Sequence, residues 1–253
     1  MAIAMYRGSS GSALRYPGAS PARPLESQAA PMRRPDSGLT LIELLILAGL
    51  LWLLAACLAP NGLAPNVDAA QDRYFEVADA ANLRCHYVWF LFYKRKHNGS
   101  LPEEGGHKFV MTTWAAGIYD HTPENFDRFW TPGPAKQNDA NYADLRKLVL
   151  RGENPWPSLA QTSSLDTHYV GRSRQHFETR ESSAEEAWMA DDNEGGWNLR
   201  DGTINVLFCD GFVRTYSYPQ LQEQFGLGPF DRDHPVVTWG PDSPIEACRK
   251  LAN

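Results

Sequence analysis

From Leu39 to Ala59 the chain is an almost unbroken apolar run whose one charged residue is Glu43. A helix of about 20 such residues is long enough to cross the hydrocarbon core of a bilayer, so the run predicts a transmembrane helix over 39–59. After Pro60, the stretch Asn61-Gly62-Leu63-Ala64-Pro65 predicts an interruption, since proline removes a backbone donor and glycine adds freedom. Helical spacing then resumes. Tyr74, Val77, Ala78, Ala81, Val88 and Phe92 predict a helix from about Val67 to Lys96 whose apolar face holds a globular head. His97-Asn98-Gly99 ends it, with a basic last turn and a C-cap glycine. The aromatic cluster Tyr87, Trp89, Phe90, Phe92 and Tyr93 reads as core.

Further on, Phe109, Val110, Met111 and Trp114 predict a strand within 107–119, and residues 120–138 read as a long loop. Asn141 to Arg151 is a short amphipathic helix with Leu145, Leu148 and Val149 inward. His168 to Arg172 reads as a strand, and the acidic segment 178–196 holds a predicted helix around Ala184 to Met189. The clearest β signal is late: Thr203–Cys209 and Phe212–Tyr216 flank Asp210-Gly211, the pattern of a tight hairpin. A short helix over Gln220–Phe225 and a last strand over Val236–Trp239 follow. The expected fold class is α+β: an N-terminal transmembrane helix, then an amphipathic helix packed on a small antiparallel β-sheet head. Domain boundaries fall at 1–38 (leader), 39–59 (membrane and assembly helix), 60–102 (interrupted stalk helix) and 103–253 (head).

Composition adds direction. Within 253 residues and 28.3 kDa, the leader and apolar helix leave room for one modest core. An apolar content of 43% with eight tryptophans means that this remainder folds. Residues 1–38 carry five arginines against Glu26 and Asp36, so the formal charge of −6 conceals a more acidic body. A basic leader before the helix and an acidic body after it predict a cytoplasmic N-terminus and a translocated head, and argue against nucleic acid as a partner. Residues 1–30, rich in Gly, Ser, Pro and Ala, have no helical or strand period and read as disordered. Cys57 lies in the apolar run, and Cys85, Cys209 and Cys248 show no metal-like spacing. A Cys209–Cys248 disulfide is compatible with an oxidising compartment, free buried thiols being the alternative.

The stretch SGLTLIELLILAGLLWLLAACLAP resembles the class III signal of type IV prepilins and type II secretion pseudopilins. The resemblance implies cleavage after Gly38 by a prepilin peptidase, methylation of the new terminal Leu39, and assembly through Thr40 and Glu43 into a pilus or pseudopilus. Glu43 takes the family's fifth mature position and Pro60 its frequent proline near the twenty-second; Leu39 stands where phenylalanine or methionine is usual. A free amine on Leu39 of one helix could neutralise the carboxylate of Glu43 on a neighbour, in a medium where a lone carboxylate is costly. ANLRCHYVWFLFYKRKHNGSLP resembles the NLRQ…Y…NGxLP segment of planctomycete-type prepilin-like proteins, matching at Asn82, Leu83, Arg84, Tyr93, Asn98, Gly99, Leu101 and Pro102. GTINVLFCDGFVRTYS resembles the NVLFxDGxV end of that group, whose histidine nine residues before Asp-Gly is replaced here by Arg200. Residues from about 105 to 195 carry no such likeness. Translation from Met32 would leave a leader of the family's usual short, basic shape. The implied partners are the peptidase, other pilin or pseudopilin subunits and the inner membrane, spanned once, with the head periplasmic and no cofactor required.

Other chemistry is sparse. Asp192, Asp201 and Asp210, with Asp191 and Glu194 nearby, are calcium candidates, since hard cations take several carboxylate oxygens, and major pseudopilins can bind calcium in a C-terminal loop. Their spacing fits no defined ion loop, and a solvated acidic loop is the alternative. Seven histidines, at 86, 97, 107, 121, 168, 176 and 234, form no HExxH pair. Ser163 and Ser164 lie in no nucleophile elbow and no phosphate-binding glycine loop occurs, so no enzyme is expected. Asp210-Gly211 reads as turn chemistry. Two rival readings of the apolar run are a plain signal or anchor and a lipobox, Leu54-Ala55-Ala56-Cys57. An uncleaved anchor or an acylated Cys57 would make the protein a membrane-tethered binding module, with the loops around Trp114, Trp130 and Trp156 meeting a ligand.

Overall fold

The computed structural model describes residues 41–58, 60–174, 184–193, 196–199, 202–231 and 235–253, with side chains 53–66 excepted. The chain divides into two compact units, Met1–Leu54 and Ala55–Asn253. Helix α1, Leu41–Leu58, is built of strong helix formers with Glu43 in its first turn, where the helix dipole favours a carboxylate. Every described side chain on it is exposed, from Leu41 at 75% to Trp52 at 77%. No helix among the described residues is long and apolar enough to cross a membrane. The expected span over 39–59 is therefore not found as such among the described residues.

Helix α2, Pro60–Lys96, runs through the stretch expected to break it. Pro60 opens the helix at a position where a missing N–H costs nothing, and Pro65 removes a single early hydrogen bond. At the far end the expected cap is present: the Gly99 amide donates to the Lys94 carbonyl at 2.7 Å with φ of 86°. The face that packs is not the one periodicity selected. Asp79, Leu83, His86 and Phe90, spaced at i, i+4, i+7 and i+11, are fully buried, whereas Tyr74, Val77, Val88 and Phe92 are exposed. Two of the four buried positions are polar, which disguised the core face as the solvent face. Of the predicted aromatic cluster, Trp89 and Phe90 are core, Tyr87 is partly buried, and Phe92 points outward.

Helices α3 (His107–Ala115), α4 (Pro123–Phe126), α5 (Pro134–Asn138) and α6 (Ala140–Leu150) follow. Residues 107–119 are thus helical rather than a strand, a short apolar run being ambiguous by period alone. The expected loop over 120–138 is a chain of short helices. The second unit's sheet joins β1 (Tyr169–Arg172), β2 (Ala187–Asp191), β3 (Ile204–Phe208), β4 (Val213–Tyr216) and β5 (Leu251–Ala252) in the order β4-β3-β2-β1-β5. All pairs are antiparallel. The α+β expectation holds here. Ala187–Met189 lie in a strand, not a helix, because pairing with both neighbours outweighs weak helix propensity.

Alternation along β3 divides the core. Leu207 faces the aromatic layer beneath α2 and α3, with Phe90, Phe109, Trp114, Trp130 and Trp188. Ile204, Val206 and Phe208 face the other side, covered by α7 (Tyr218–Phe225) and by Ile245, Cys248 and Leu251. Val236–Trp239 forms no strand. The Thr238 amide and hydroxyl both donate to Asn193 Oδ1 at 3.1 Å, so one side chain replaces a ladder.

Candidate functional site

Gly38, Leu39 and Thr40 lie outside the described residues, as do Asp201 and Arg200. Glu43 is exposed in the first turn of α1. On α2 the outward residues Val67, Tyr74, Ala81 and Val88 recur every seventh position, with Val77 and Leu91 three residues after Tyr74 and Val88. That is the spacing of a helix seam, and an exposed apolar strip of this kind marks a contact surface. Arg84 interrupts it at the equivalent position between Val77 and Leu91.

The Asp210-Gly211 turn closes the β3–β4 hairpin. The Phe212 amide donates to Asp210 Oδ1 at 3.0 Å, and Gly211 sits at φ of 86°. A Cβ at Gly211 would lie 2.6 Å from the Tyr87 ring, so this glycine both makes the turn and lets it dock on α2.

Of the calcium candidates, the two described, Asp192 and Asp210, are not brought together. Asp192 follows β2 beside the start of β3 and Asp210 lies past its end, a separation on the order of 16 Å for five residues of strand. Asp192 already accepts from Trp239 Nε1 at 3.1 Å and Asn253 Nδ2 at 2.6 Å. Among the described residues no group of three His, Cys, Asp or Glu side chains could hold a metal ion. Cys209 packs on the α2 side of the sheet and Cys248 on the other, which rules out their disulfide; neither of these two nor Cys85 is in a disulfide. Trp114, Trp130 and Trp156 are buried rather than presented to a ligand.

A cleft of about 530 Å³ is lined by Asp139, Asn141, His168 and Asn198. His168 Nε2 lies 3.0 Å from Asp139 Oδ2, and that bond holds the carboxyl below its usual range. Asp139 also caps α6, accepting from the Tyr142 amide at 2.8 Å. The other ring nitrogen is buried without a hydrogen-bond partner, and the pair ties the start of α6 to the start of β1.

One constellation had no signal in the sequence. Asp79 on α2 and Asp191 on β2 are fully buried and brought together at Asn205, which donates to Asp79 through its side chain and to Asp191 through its backbone amide. Beside them His86 is also buried, its Nε2 donating to the Arg128 carbonyl at 3.0 Å, and burial lowers its pKa to about 3. Only its place on the line Asp79–Leu83–His86–Phe90 could have indicated that Asp79 turns inward. No protein-family model matches the chain, no curated protein is similar to it, and no solved structure matches its fold.

Proposed function

We propose that the protein is a pilin-like or pseudopilin subunit, cut after Gly38 by a prepilin peptidase and assembled through its N-terminal helix into a pilus or secretion pseudopilus. In this reading residues 39–59 hold the chain in the inner membrane before assembly, and the head is periplasmic. The observation that carries it is the exposure of apolar α1 side chains from Leu41 to Trp52 around a single first-turn acid. Such a surface requires lipid or other helices as its surroundings, and the outward strip on α2 offers a second contact of the same kind. An amine at Leu39 would complement Glu43 on a neighbouring copy.

The intact mass of the protein purified from its own cells tests this. A chain beginning at methylated Leu39 supports it. A chain beginning upstream, or at an acylated Cys57, would overturn it in favour of a tethered module, for which the buried tryptophans supply no binding surface. Glu43→Ala should remove the subunit from filaments while leaving the head folded.

A further inference from the structure

Helix α2 meets the sheet through an acid pair that assembly does not use. An ionised carboxylate offers only acceptors, so two of them hydrogen-bond only when one carries a proton. The neighbours decide which. Asp79 accepts at both oxygens, from the Tyr169 hydroxyl at Oδ1 (2.6 Å) and from Asn205 Nδ2 at Oδ2 (2.8 Å). Asp191 Oδ2 accepts from the Asn205 amide at 2.7 Å. Its Oδ1 faces the Thr131 hydroxyl at 3.2 Å, a rotor that can turn to accept. We propose that Asp191 keeps its proton at neutral pH and donates it from Oδ1 to Asp79, so that one shared proton clasps α2 to the sheet and alkaline conditions release it.

The surroundings agree. Burial raises the pKa of both acids, and the charge of Asp79 raises Asp191 further, well above the ordinary aspartate value. From β1 comes Tyr169, whose hydroxyl burial keeps protonated as a donor. From α2 come His86, whose ring lies 5.7 Å from that of Tyr169, and Glu76, whose carboxylate is held by Arg73 at 2.7 Å. Arg128 is turned to Asn82 Oδ1 at 3.3 Å. Neutral Asn205 from β3 is itself oriented by the Thr215 hydroxyl of β4 at 2.7 Å.

The sign follows from linkage. A carboxyl whose folded pKa is raised contributes stability that is full below its unfolded value, 3.8, and is lost as pH rises through the folded value. Between those limits the unfolding constant rises up to about tenfold per pH unit. His86 acts oppositely, its contribution growing up to 6.5, so the clasp dominates this pair of trends above that pH.

Thermal unfolding of the full chain in detergent, followed from pH 5 to 9, tests the clasp. Asp191→Asn preserves a donor toward Asp79 and should unfold at a higher temperature than the parent at pH 8, with the parent's alkaline slope reduced. Asp79→Asn places an amide against two donors and should be less stable than Asp191→Asn throughout. A parental slope unchanged in Asp191→Asn, or the reverse ranking of the two variants, would overturn the assignment. Infrared spectra of the parent at pH 7 supply a check that needs no variant to fold. They should contain a protonated-carboxyl band, and its absence would also sink the proposal.

Discussion

Replacing Glu186 by glutamine isolates what a buried charge pair does in this sheet. Arg172 at the end of β1 and Glu186 just before β2 have side chains only 2% and 5% exposed, with Nη2 and Oε1 2.6 Å apart. Their carbonyls accept from the amides of Gly106 and Cys209, so α3, β1, β2 and the hairpin meet here. Burial pulls the Arg172 pKa down and Glu186 opposes that. Glu186→Gln removes the negative charge facing the guanidinium, and Lys250, 3.9 Å from the same oxygen, has the wrong sign to replace it. Breaking a buried pair by one partner costs about 3–5 kcal/mol, whereas exchanging both partners for apolar residues is often neutral or stabilising. At roughly 2–4 °C per kcal/mol for a head of this size, the single variant should melt roughly 6–20 °C lower. The double variant Arg172→Met, Glu186→Leu should melt near the parent. Near-ultraviolet circular dichroism of the full chain in detergent measures both. A single variant within about 1 kcal/mol of the parent, or a double variant as damaged as the single, would show that the pair is not held as the geometry indicates.

Three other outcomes are expected. His86→Phe should cost about 1 kcal/mol near pH 7.5 for the lost bond to the Arg128 carbonyl. In return it should flatten the acid limb between 6.5 and about 3, where a neutral buried histidine loses stability as pH falls; a pH series of melting temperatures reads this. Gly211→Ala should destabilise by about 2 kcal/mol or more, because alanine resists positive φ and its methyl meets the Tyr87 ring; urea unfolding would show it. Leu91→Glu, on the outward face of α2, should leave the unfolding free energy within about 0.5 kcal/mol of the parent while, if the proposed assembly holds, lowering recovery in sheared filament fractions.

Local features were legible wherever short-range chemistry decides them. The Asn98-Gly99 cap, the Asp210-Gly211 hairpin, the strand at Tyr169–Arg172 and the helix ending at Phe225 all stand where turn residues or β-branched runs announce them. Misreadings cluster where pairing partners are far away in sequence. Ala187–Asp191 is a strand only because β1 and β3 flank it, and Phe109–Trp114 is a helix whose apolar run admits either period. The candidate site divided the same way. The proposed processing signal is a linear motif, while the separation of Asp192 from Asp210 and of Cys209 from Cys248 depends on strand direction and sheet face.

Sequence alone determined the apolar segment with its single acid at Glu43, the α+β class and the hairpin, because helix propensity, hydropathy and turn preference act between near neighbours. Tertiary structure alone decided which face of α2 enters the core. Periodicity favoured the side bearing Tyr74, Val77 and Val88, yet the buried side carries Asp79 and His86. Polar groups can occupy an interior only when distant residues supply their hydrogen bonds, and Tyr169, Thr131 and Asn205 come together around Asp79 and Asp191 only once the sheet has formed.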